Sequence, residues 1–288
     1  MASTQQLKSR IRSVKNTKQI TKAMQMVAAS KMRRAQDATK ASAEYAHAAN
    51  ELLTYLASQG ATEGHKWFAT RKVKTRLLIL IASDKGLAGA YNANVFKQYV
   101  KALREDDANG VKNMTIAVGR KAAQFVTRIK DTEIIGSYED IPDMPEGSQF
   151  HAILNTAKDA FEQKRVDAVD VIYTRFVSSM TQTAEMTRLF PAGFEETEVS
   201  EAVRDAIYEP SIERVLDDAT YRLIGSRLFQ ALLDARASEH SMRMIAMKNA
   251  TDNASDLVDD LTLEMNKARQ GAITQELSEI SAGVEAMK

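Results

Sequence analysis

The last eighty residues of the chain carry one uninterrupted apolar stripe. Between Leu216 and Ala272, positions can be followed in alternating steps of three and four residues, and thirteen of the seventeen positions on this path are apolar. An average spacing of 3.5 residues is typical of the seam of a left-handed coiled coil. With Pro210 before the stripe and Ser211 as a candidate cap, the pattern predicts a helix that continues to about Gly283.

Residues 1–59 predict a second long helix. They contain neither Gly nor Pro, and apolar residues recur at helical spacing from Leu7 to Leu56 before a glycine ends the pattern. Residues 1–36 carry nine basic residues and no acidic one, whereas residues 209–288 carry fourteen acidic and nine basic residues. Because both stripes need burial and the charges oppose each other, we expect the two terminal helices to pair as a coiled coil.

The region between these helices has a different pattern. Short runs of branched aliphatic residues alternate with helical segments, which is typical of an α/β layer with a mainly parallel sheet. The predicted strands are 73–82, 114–118, 132–135, 168–177 and 181–190, and the predicted helices are 94–103, 119–129 and 149–163. We therefore divide the chain into an N-terminal coiled-coil helix at 1–59, a linker at 60–73, a Rossmann-like α/β domain at 74–205 and a C-terminal coiled-coil helix at 206–288.

The sequence holds no pattern typical of a catalytic, cofactor or metal site. Cysteine is absent, which excludes disulfides and thiolate metal ligands. The turn Gly86-Leu87-Ala88-Gly89 matches neither a dinucleotide fingerprint nor a P-loop, so we interpret it as a tight turn. The four histidines lack metal-ligand spacing, and we interpret His240, on the apolar seam, as a packing residue. We expect no bond chemistry and no cofactor. The longest apolar run, Leu77 to Ala82, is too short to cross a bilayer.

Two classes of function remain open on the residues alone. One is a mechanical part, a coiled-coil shaft with a globular foot. The other is a coiled-coil scaffold or nucleic-acid-binding protein that uses the basic first helix. Residues 1–36 contain no aromatic residue on which a base could stack, and an acidic helix is available to neutralise them, which favours the shaft. A mitochondrial presequence is a further interpretation of the basic segment, but the helical pattern runs past residue 50 without a cleavage-like break.

Three parts of the chain carry long, specific motifs. They are Ile11–Met24, which continues to Met32; Ala246–Ala254, with Asn266–Gln270 and Ile273–Ile280; and the turn Ser83–Gly89. Together these motifs resemble the gamma subunit of F-type ATP synthase, and the order of elements agrees over the whole chain. Two positions depart from the family pattern: Ala88, where many relatives have Cys, and Gly283-Val284, where Gly-Ala is commoner.

The resemblance implies the central-stalk rotor of a proton-translocating ATP synthase. The terminal helices would form an antiparallel coiled coil inside a ring of alpha and beta subunits. The α/β domain would stand, with the epsilon subunit, on the membrane c ring, and rotation would drive the beta subunits through ATP synthesis. The chain itself would be non-catalytic and bind neither cofactor nor nucleic acid. It would lie at the cytoplasmic face of the bacterial inner membrane as a peripheral protein.

The resemblance also implies two sets of contact residues. The set that would meet the beta subunits is Met24, Lys31, Arg33, Arg34, Arg243, Arg269, Gln270, Thr274 and Glu276. Its polar groups would form hydrogen bonds to loops of beta that break during rotation. The basic residues of the first helix would face acidic segments of beta. The set that would meet the c ring or epsilon is Tyr208 and Glu209.

Overall fold

The computed structural model describes residues 4–130, 132–144, 147–206 and 208–286, without the side chains of 40–46 and 283–286. The side chains of Gly283-Val284, named above, therefore lie outside the described residues. The chain divides into two compact units. We call residues 1–28 with 243–288 the coil unit, and residues 29–242 the sheet unit.

The described residues form long terminal helices around a set of short strands and helices. In chain order the elements are α1 (Thr4–Ser58), β1 (Thr75–Ile81), α2 (Tyr91–Ala108), β2 (Lys112–Val118), α3 (Arg120–Val126), β3 (Glu133–Tyr138), α4 (Ser148–Glu162), β4 (Ala168–Phe176), β5 (Gln182–Phe190), α5 (Glu201–Arg204) and α6 (Ile212–Ala286). Each predicted helix and strand is confirmed, with ends that shift by a few residues. The short helix α5 was not predicted, because one turn is too short to show a periodic pattern.

The predicted start of α6 is also confirmed. Pro210 and Ser211 precede its first residue, and the Ser211 hydroxyl accepts a hydrogen bond from the backbone N–H of Arg214 at 3.3 Å. An N-cap of this kind satisfies one of the N–H groups that the first helical turn leaves without a partner.

Within the coil unit, α1 and α6 run in opposite directions. The ammonium group of Lys18 donates to the hydroxyl of Ser255 at 2.7 Å. About one turn further along α1, the hydroxyl oxygen of Thr21 lies 2.8 Å from that of Thr251, which is about one turn earlier in α6. Advancing along one helix therefore means moving back along the other, and the expected antiparallel pair is confirmed.

The buried seam of the coil unit ends before α6 does. Leu7 and Ile11 are buried against Leu261 in one apolar cluster. Because Leu7 lies near the described start of α1, that helix gives little cover beyond this level. All side chains of α6 from residue 269 to residue 282 are exposed. Ala272 lies in this stretch, so the last step of the stripe is on α6 as predicted but is not covered within the described chain.

The sheet unit contains a five-stranded sheet in the order β3-β2-β1-β4-β5. β1 pairs in parallel with β2 and β4, and β2 pairs in parallel with β3. Only β5 is antiparallel, and it pairs with β4. This is the strand order of a doubly wound α/β fold, so the prediction of a Rossmann-like domain with a mainly parallel sheet is confirmed.

Helices cover both faces of this sheet. Leu77, Ile79 and Ile81 of β1 pack in a cluster with residues of α4 and α6, while Leu78 and Leu80 pack on the other face with residues of α2 and α3. Two-sided burial explains why β1 is a continuous apolar run in the sequence, because a strand with one wet face would alternate.

The segment 60–73, interpreted above as a linker, is packed against the sheet unit. Trp67 is buried in the same cluster as α4, and its indole N–H donates to Glu162 at 2.8 Å. The guanidinium of Arg71 lies 4.4 Å from the ring centre of Phe161. These contacts hold the segment in place although it has no regular secondary structure over most of its length.

Candidate functional site

The carboxyl edge of the sheet is covered by helix α6 of the same chain. In a doubly wound fold, ligands bind at this edge, at the point where the strand order reverses. In this sheet that point lies between β1 and β4. Here the Ser238 hydroxyl donates to the carbonyl of Thr174 in β4 at 3.1 Å. The Ser241 hydroxyl donates to the carbonyl of Ser179, just after β4, at 2.7 Å. The usual ligand position of this fold therefore serves here to dock a helix.

Arg236 of α6 is the charged centre of this docking surface. One guanidinium nitrogen, Nη2, donates to the carboxylate of Asp84 at 3.2 Å and to the carbonyl of Ile141 at 2.6 Å. The other, Nη1, donates to Glu239 at 2.9 Å. The Arg236 side chain is largely buried, so removing it would take away the cation that faces the carboxylates of Asp84 and Glu239.

Asp84, in the turn after β1, joins three loops of the sheet to α6. One of its oxygens accepts the backbone N–H groups of Arg120 and Asp140, each at 3.0 Å, and the other accepts from Arg236. Burial by itself would raise the pKa of Asp84, but the two backbone N–H groups and the guanidinium outweigh it and lower the pKa below its ordinary value. Asp84 is thus a charged carboxylate at neutral pH, and its oxygens are engaged within the protein.

The turn that contains Asp84 is closed by its own hydrogen bonds. The Ser83 hydroxyl donates to the carbonyl of Lys85 at 2.8 Å, and the side-chain amide of Asn92 donates to the Ser83 hydroxyl at 2.8 Å. Gly119 lets the next strand end come close, because a Cβ there would lie 2.2 Å from the carbonyl oxygen of Ala82. This geometry fits the interpretation as a structural turn.

A second carboxylate of the same edge contacts both terminal helices. Asp143, after β3, lies 2.9 Å from the ammonium of Lys31 in α1 and 3.0 Å from the Nε2 of His240 in α6. His240 is buried, as expected for a packing residue, but it is also hydrogen-bonded, which the sequence did not indicate. Asp143 and Arg236 were not among the predicted site residues, because nothing local in the sequence marks a contact that only the fold creates.

The residues predicted to meet beta subunits fall into three groups. Arg269, Gln270, Thr274 and Glu276 share the exposed stretch of α6 in the coil unit. Met24 and Arg243 belong to the same unit and are partly exposed. Lys31, Arg33 and Arg34 lie in the sheet unit, where the two arginines are exposed and Lys31 is paired with Asp143.

The exposed stretch of α6 also carries an apolar stripe that the sequence analysis did not single out. Ile273, Leu277 and Ile280 are 50%, 60% and 64% exposed. Their spacing of four and three residues places them on one face of the helix. Exposed aliphatic side chains aligned in this way are typical of a surface that another protein covers.

The predicted foot residues lie just before α6. Tyr208 stacks on Tyr55 of α1 with ring centres 5.8 Å apart, and its hydroxyl donates to the carbonyl of Val203. Glu209 is exposed. Tyr208 is therefore held by packing, while Glu209 presents its charge to solvent.

Neither a metal cluster nor a membrane span is present in the part of the chain that the structure describes. No group of three or more His, Asp or Glu side chains there is arranged to hold a metal ion. None of the helices there is long and apolar enough to cross a bilayer.

The sequence matches known proteins over its whole length. A family model described as ATP synthase matches residues 3–287. A protein of Stenotrophomonas maltophilia (strain R551-3), named ATP synthase gamma chain, is 40% identical over 288 residues, which is 100% of both chains. A protein of the same name from Xylella fastidiosa (strain M12) is 39% identical with the same coverage. These matches do not support the alternative of a nucleic-acid-binding protein.

Solved structures agree with the sequence matches. The structure is similar to a chain of the central stalk and c ring of the Tetrahymena thermophila mitochondrial ATP synthase, with 26% identity and a TM-score of 0.57, over 80% of this chain and 99% of that one. A chain of the Euglena gracilis mitochondrial ATP synthase is 19% identical, with a TM-score of 0.65 over 99% and 94% of the chains, which is a likeness in fold alone. The chain therefore belongs to the family of ATP synthase gamma chains, the non-catalytic stalk subunits of that complex.

Proposed function

We propose that this chain turns with a membrane c ring and drives the beta subunits of an ATP synthase through their catalytic cycle. The observation that carries the proposal is the exposed end of α6. This helix is docked to the sheet at Arg236 and ends in an uncovered apolar stripe at Ile273, Leu277 and Ile280. A ring of alpha and beta subunits would cover that stripe. Aliphatic contacts suit a turning tip because they have no fixed hydrogen-bond direction.

The polar residues of the coil unit would make the contacts that change during rotation. Arg269, Gln270, Thr274 and Glu276 are exposed on α6, and Met24 and Arg243 are partly exposed. Hydrogen bonds that exchange with water contribute little net free energy, so such contacts with beta can break and form again at each step.

The exposed Arg33 and Arg34 of α1 would face acidic segments of beta. Salt screens an attraction between exposed charges, which suits a sliding contact. Lys31 was included in this set, but its ammonium is already bound to Asp143 at 2.9 Å, so we assign it a smaller part in contacts with beta.

Tyr208 and Glu209 would contact the c ring or the epsilon subunit. Tyr208 is fixed against Tyr55, and the neighbouring Glu209 is exposed, so the pair offers one rigid and one charged group. With these contacts the complex would hold the chain at the cytoplasmic face of the inner membrane.

The test of the rotor function uses membrane vesicles that carry the complete complex. Met24→Lys adds a charge beside the proposed beta contact, and we expect it to lower the number of protons pumped per ATP hydrolysed. Met24→Leu keeps the residue apolar and serves as the matched control. The measurement is ATP hydrolysis and ATP-driven acidification in the same vesicles. Equal coupling in both variants would contradict the assignment of Met24.

Purification of the complex from native membranes tests the partners. We expect alpha, beta and epsilon subunits and the c ring to accompany this chain, and removal of the c ring to release it from the membrane. Recovery of the chain alone, or with nucleic acid, would contradict the proposal.

A further inference from the structure

One carboxylate of the sheet unit holds both terminal helices at once. Lys31 of α1 donates to Oδ2 of Asp143 at 2.9 Å, and His240 of α6 contacts Oδ1 at 3.0 Å. We propose that Asp143 is a positioning residue for torque transmission: it keeps α1 and α6 in register, so that the two helices turn as one body. This inference rests on the proposed rotor function.

The two contacts of Asp143 are compatible with each other. Each helix uses a different oxygen of the carboxylate, so both bonds are made together. Burial by itself would raise the pKa of Asp143, but the hydrogen bonds from Lys31 and His240 outweigh it and lower the pKa. The carboxylate is therefore charged at neutral pH, and its bonds are of the stronger, charge-assisted kind.

The loop that carries Asp143 is itself fixed to α6. Arg236, one turn before His240, donates to the carbonyl of Ile141 at 2.6 Å, two residues from Asp143. The loop is thus attached to α6 at two points, and Lys31 extends the attachment to α1. A sideways shift of α1 against α6 would break the Lys31 contact first, because the Lys31 side chain is 42% exposed whereas that of His240 is only 6% exposed.

The apolar seam provides part of this resistance, and the contacts of Asp143 add to it. In the sheet unit, Leu53 and Leu56 of α1 pack against Leu216, Ala219 and Leu223 of α6. This packing resists separation of the helices and also a shift of register, because the interlocking side chains would have to repack. A hydrogen bond depends on both distance and angle, so it opposes such a shift.

The test compares Asp143→Asn with Asp140→Asn in the complete complex. Both replacements remove one carboxylate charge from the same loop region, but the Asp140 side chain bonds Arg120 of α3 and is 68% exposed. A partly exposed ion pair contributes a factor of up to about five to an equilibrium constant, so its loss weakens the link between the helices without unfolding the chain. We expect protons pumped per ATP to fall measurably, by no more than about twofold, in Asp143→Asn. The same ratio should be unchanged in Asp140→Asn and largely restored in Asp143→Glu.

Two further measurements separate positioning from a general loss of structure. The amounts of this chain and of beta on the membranes should equal those of the wild type, since a misfolded chain would not assemble. In a double-mutant cycle, Lys31→Met combined with Asp143→Asn should couple no worse than Asp143→Asn alone, because both remove the same contact. If Asp143→Asn does not assemble, Lys31→Met decides: a lower ratio supports the proposal and an unchanged ratio overturns it.

The outcomes also distinguish this inference from the rotor function. If vesicles without the chain show the same ATP-driven acidification as wild-type vesicles, the rotor function itself is contradicted. Coupled wild-type vesicles, with equal coupling in assembled Asp143→Asn, would overturn only the role of Asp143. An equal loss in Asp140→Asn, or additive losses in the double variant, would overturn it as well.

Discussion

The two units of the chain bury their apolar residues in different ways. In the sheet unit, β1 lies between two helical layers, and Leu77 to Leu80 have no exposed surface. In the coil unit, two helices share one narrow seam, and Met26, Val27 and Leu263 are more than half exposed. A sheet covered on both faces is complete within the chain, whereas a helix pair leaves most of its circumference uncovered.

This difference means that the two units present different surfaces to their surroundings. The sheet unit has the buried area to fold by its own packing and to hold α6 through Arg236. The coil unit has little apolar burial of its own, so apolar side chains such as Met26 and Leu263 stay exposed on its surface. We expect the coil unit to open more easily than the sheet unit when the chain is isolated, since local stability follows buried contacts.

The largest expected effect comes from removing a central core side chain. Ile79→Ala, in the middle of the sheet, should lower the free energy of unfolding by about 4 kcal/mol, because the rigid surroundings leave a cavity. Leu261→Ala, in the coil seam, should cost only about 2 kcal/mol, because a two-helix seam can collapse around the gap. Denaturant unfolding of the isolated chain, with hydrogen exchange as the signal for each unit, measures both losses of stability. Equal losses of stability in the two variants would contradict the difference between the units.

A smaller effect, in this case a gain in stability, is expected when a buried carboxyl of α6 is replaced. Burial raises the pKa of Asp234 from 3.8 to about 6; Arg175 opposes the rise, Glu185 adds to it and Gln230 opposes it. The folded state therefore keeps this proton up to about pH 6, whereas the unfolded chain releases it near its ordinary pKa. The contribution of Asp234 to stability is thus full below pH 3.8 and is lost as pH rises through about 6.

Replacing this group should remove the pH dependence that it causes. Asp234→Asn should raise the free energy of unfolding by on the order of 2 kcal/mol at pH 7 and by almost nothing near pH 4. The exposed Asp259→Asn in the coil unit, which also removes one carboxylate, is the control. Unfolding curves between pH 4 and 8 decide. A difference that does not grow with pH would contradict the assignment.

The smallest expected effect lies in the polar part of the coil seam. Thr21 and Thr251 share a hydrogen bond at 2.8 Å, and Thr251 also donates to its own helix. Thr21→Val should cost about 1 kcal/mol, whereas replacing both threonines by Val should be nearly neutral, because no hydroxyl is then left without its partner across the seam. Hydrogen exchange of the coil unit measures this loss of stability. An additive loss in the double variant would contradict the prediction.

Much of the fold could be predicted because its patterns are regular and long. The 3.5-residue stripe indicates a partner helix before any partner is known, and the run Leu77 to Ala82 indicates a doubly covered strand. The stripe did not indicate that Ala272 is left exposed, because the extent of cover from one helix cannot be read from the stripe on the other. Trp67 shows a further limit: a segment without periodicity can still be anchored by one large side chain.

The docking contacts could not be predicted from the sequence. Asp84, Asp143 and Arg236 are far apart along the chain and meet only because the strand ends gather at one edge of the sheet. His240 lies on the apolar stripe and could be identified as buried, but its hydrogen bond depends on where the loop after β3 passes. Local patterns indicate which residues are inside, whereas polar contacts between distant segments require the fold.

The central claim is that the two ends of the chain form one body that turns as a whole. The sequence has no cysteine, so Thr21→Cys with Thr251→Cys introduces a single pair of thiols, at positions whose hydroxyl oxygens are 2.8 Å apart. Oxidation of the complete complex should form this bond within the chain and leave ATP-driven proton pumping unchanged. Failure to form it, or a loss of pumping that a reductant restores, would contradict the account.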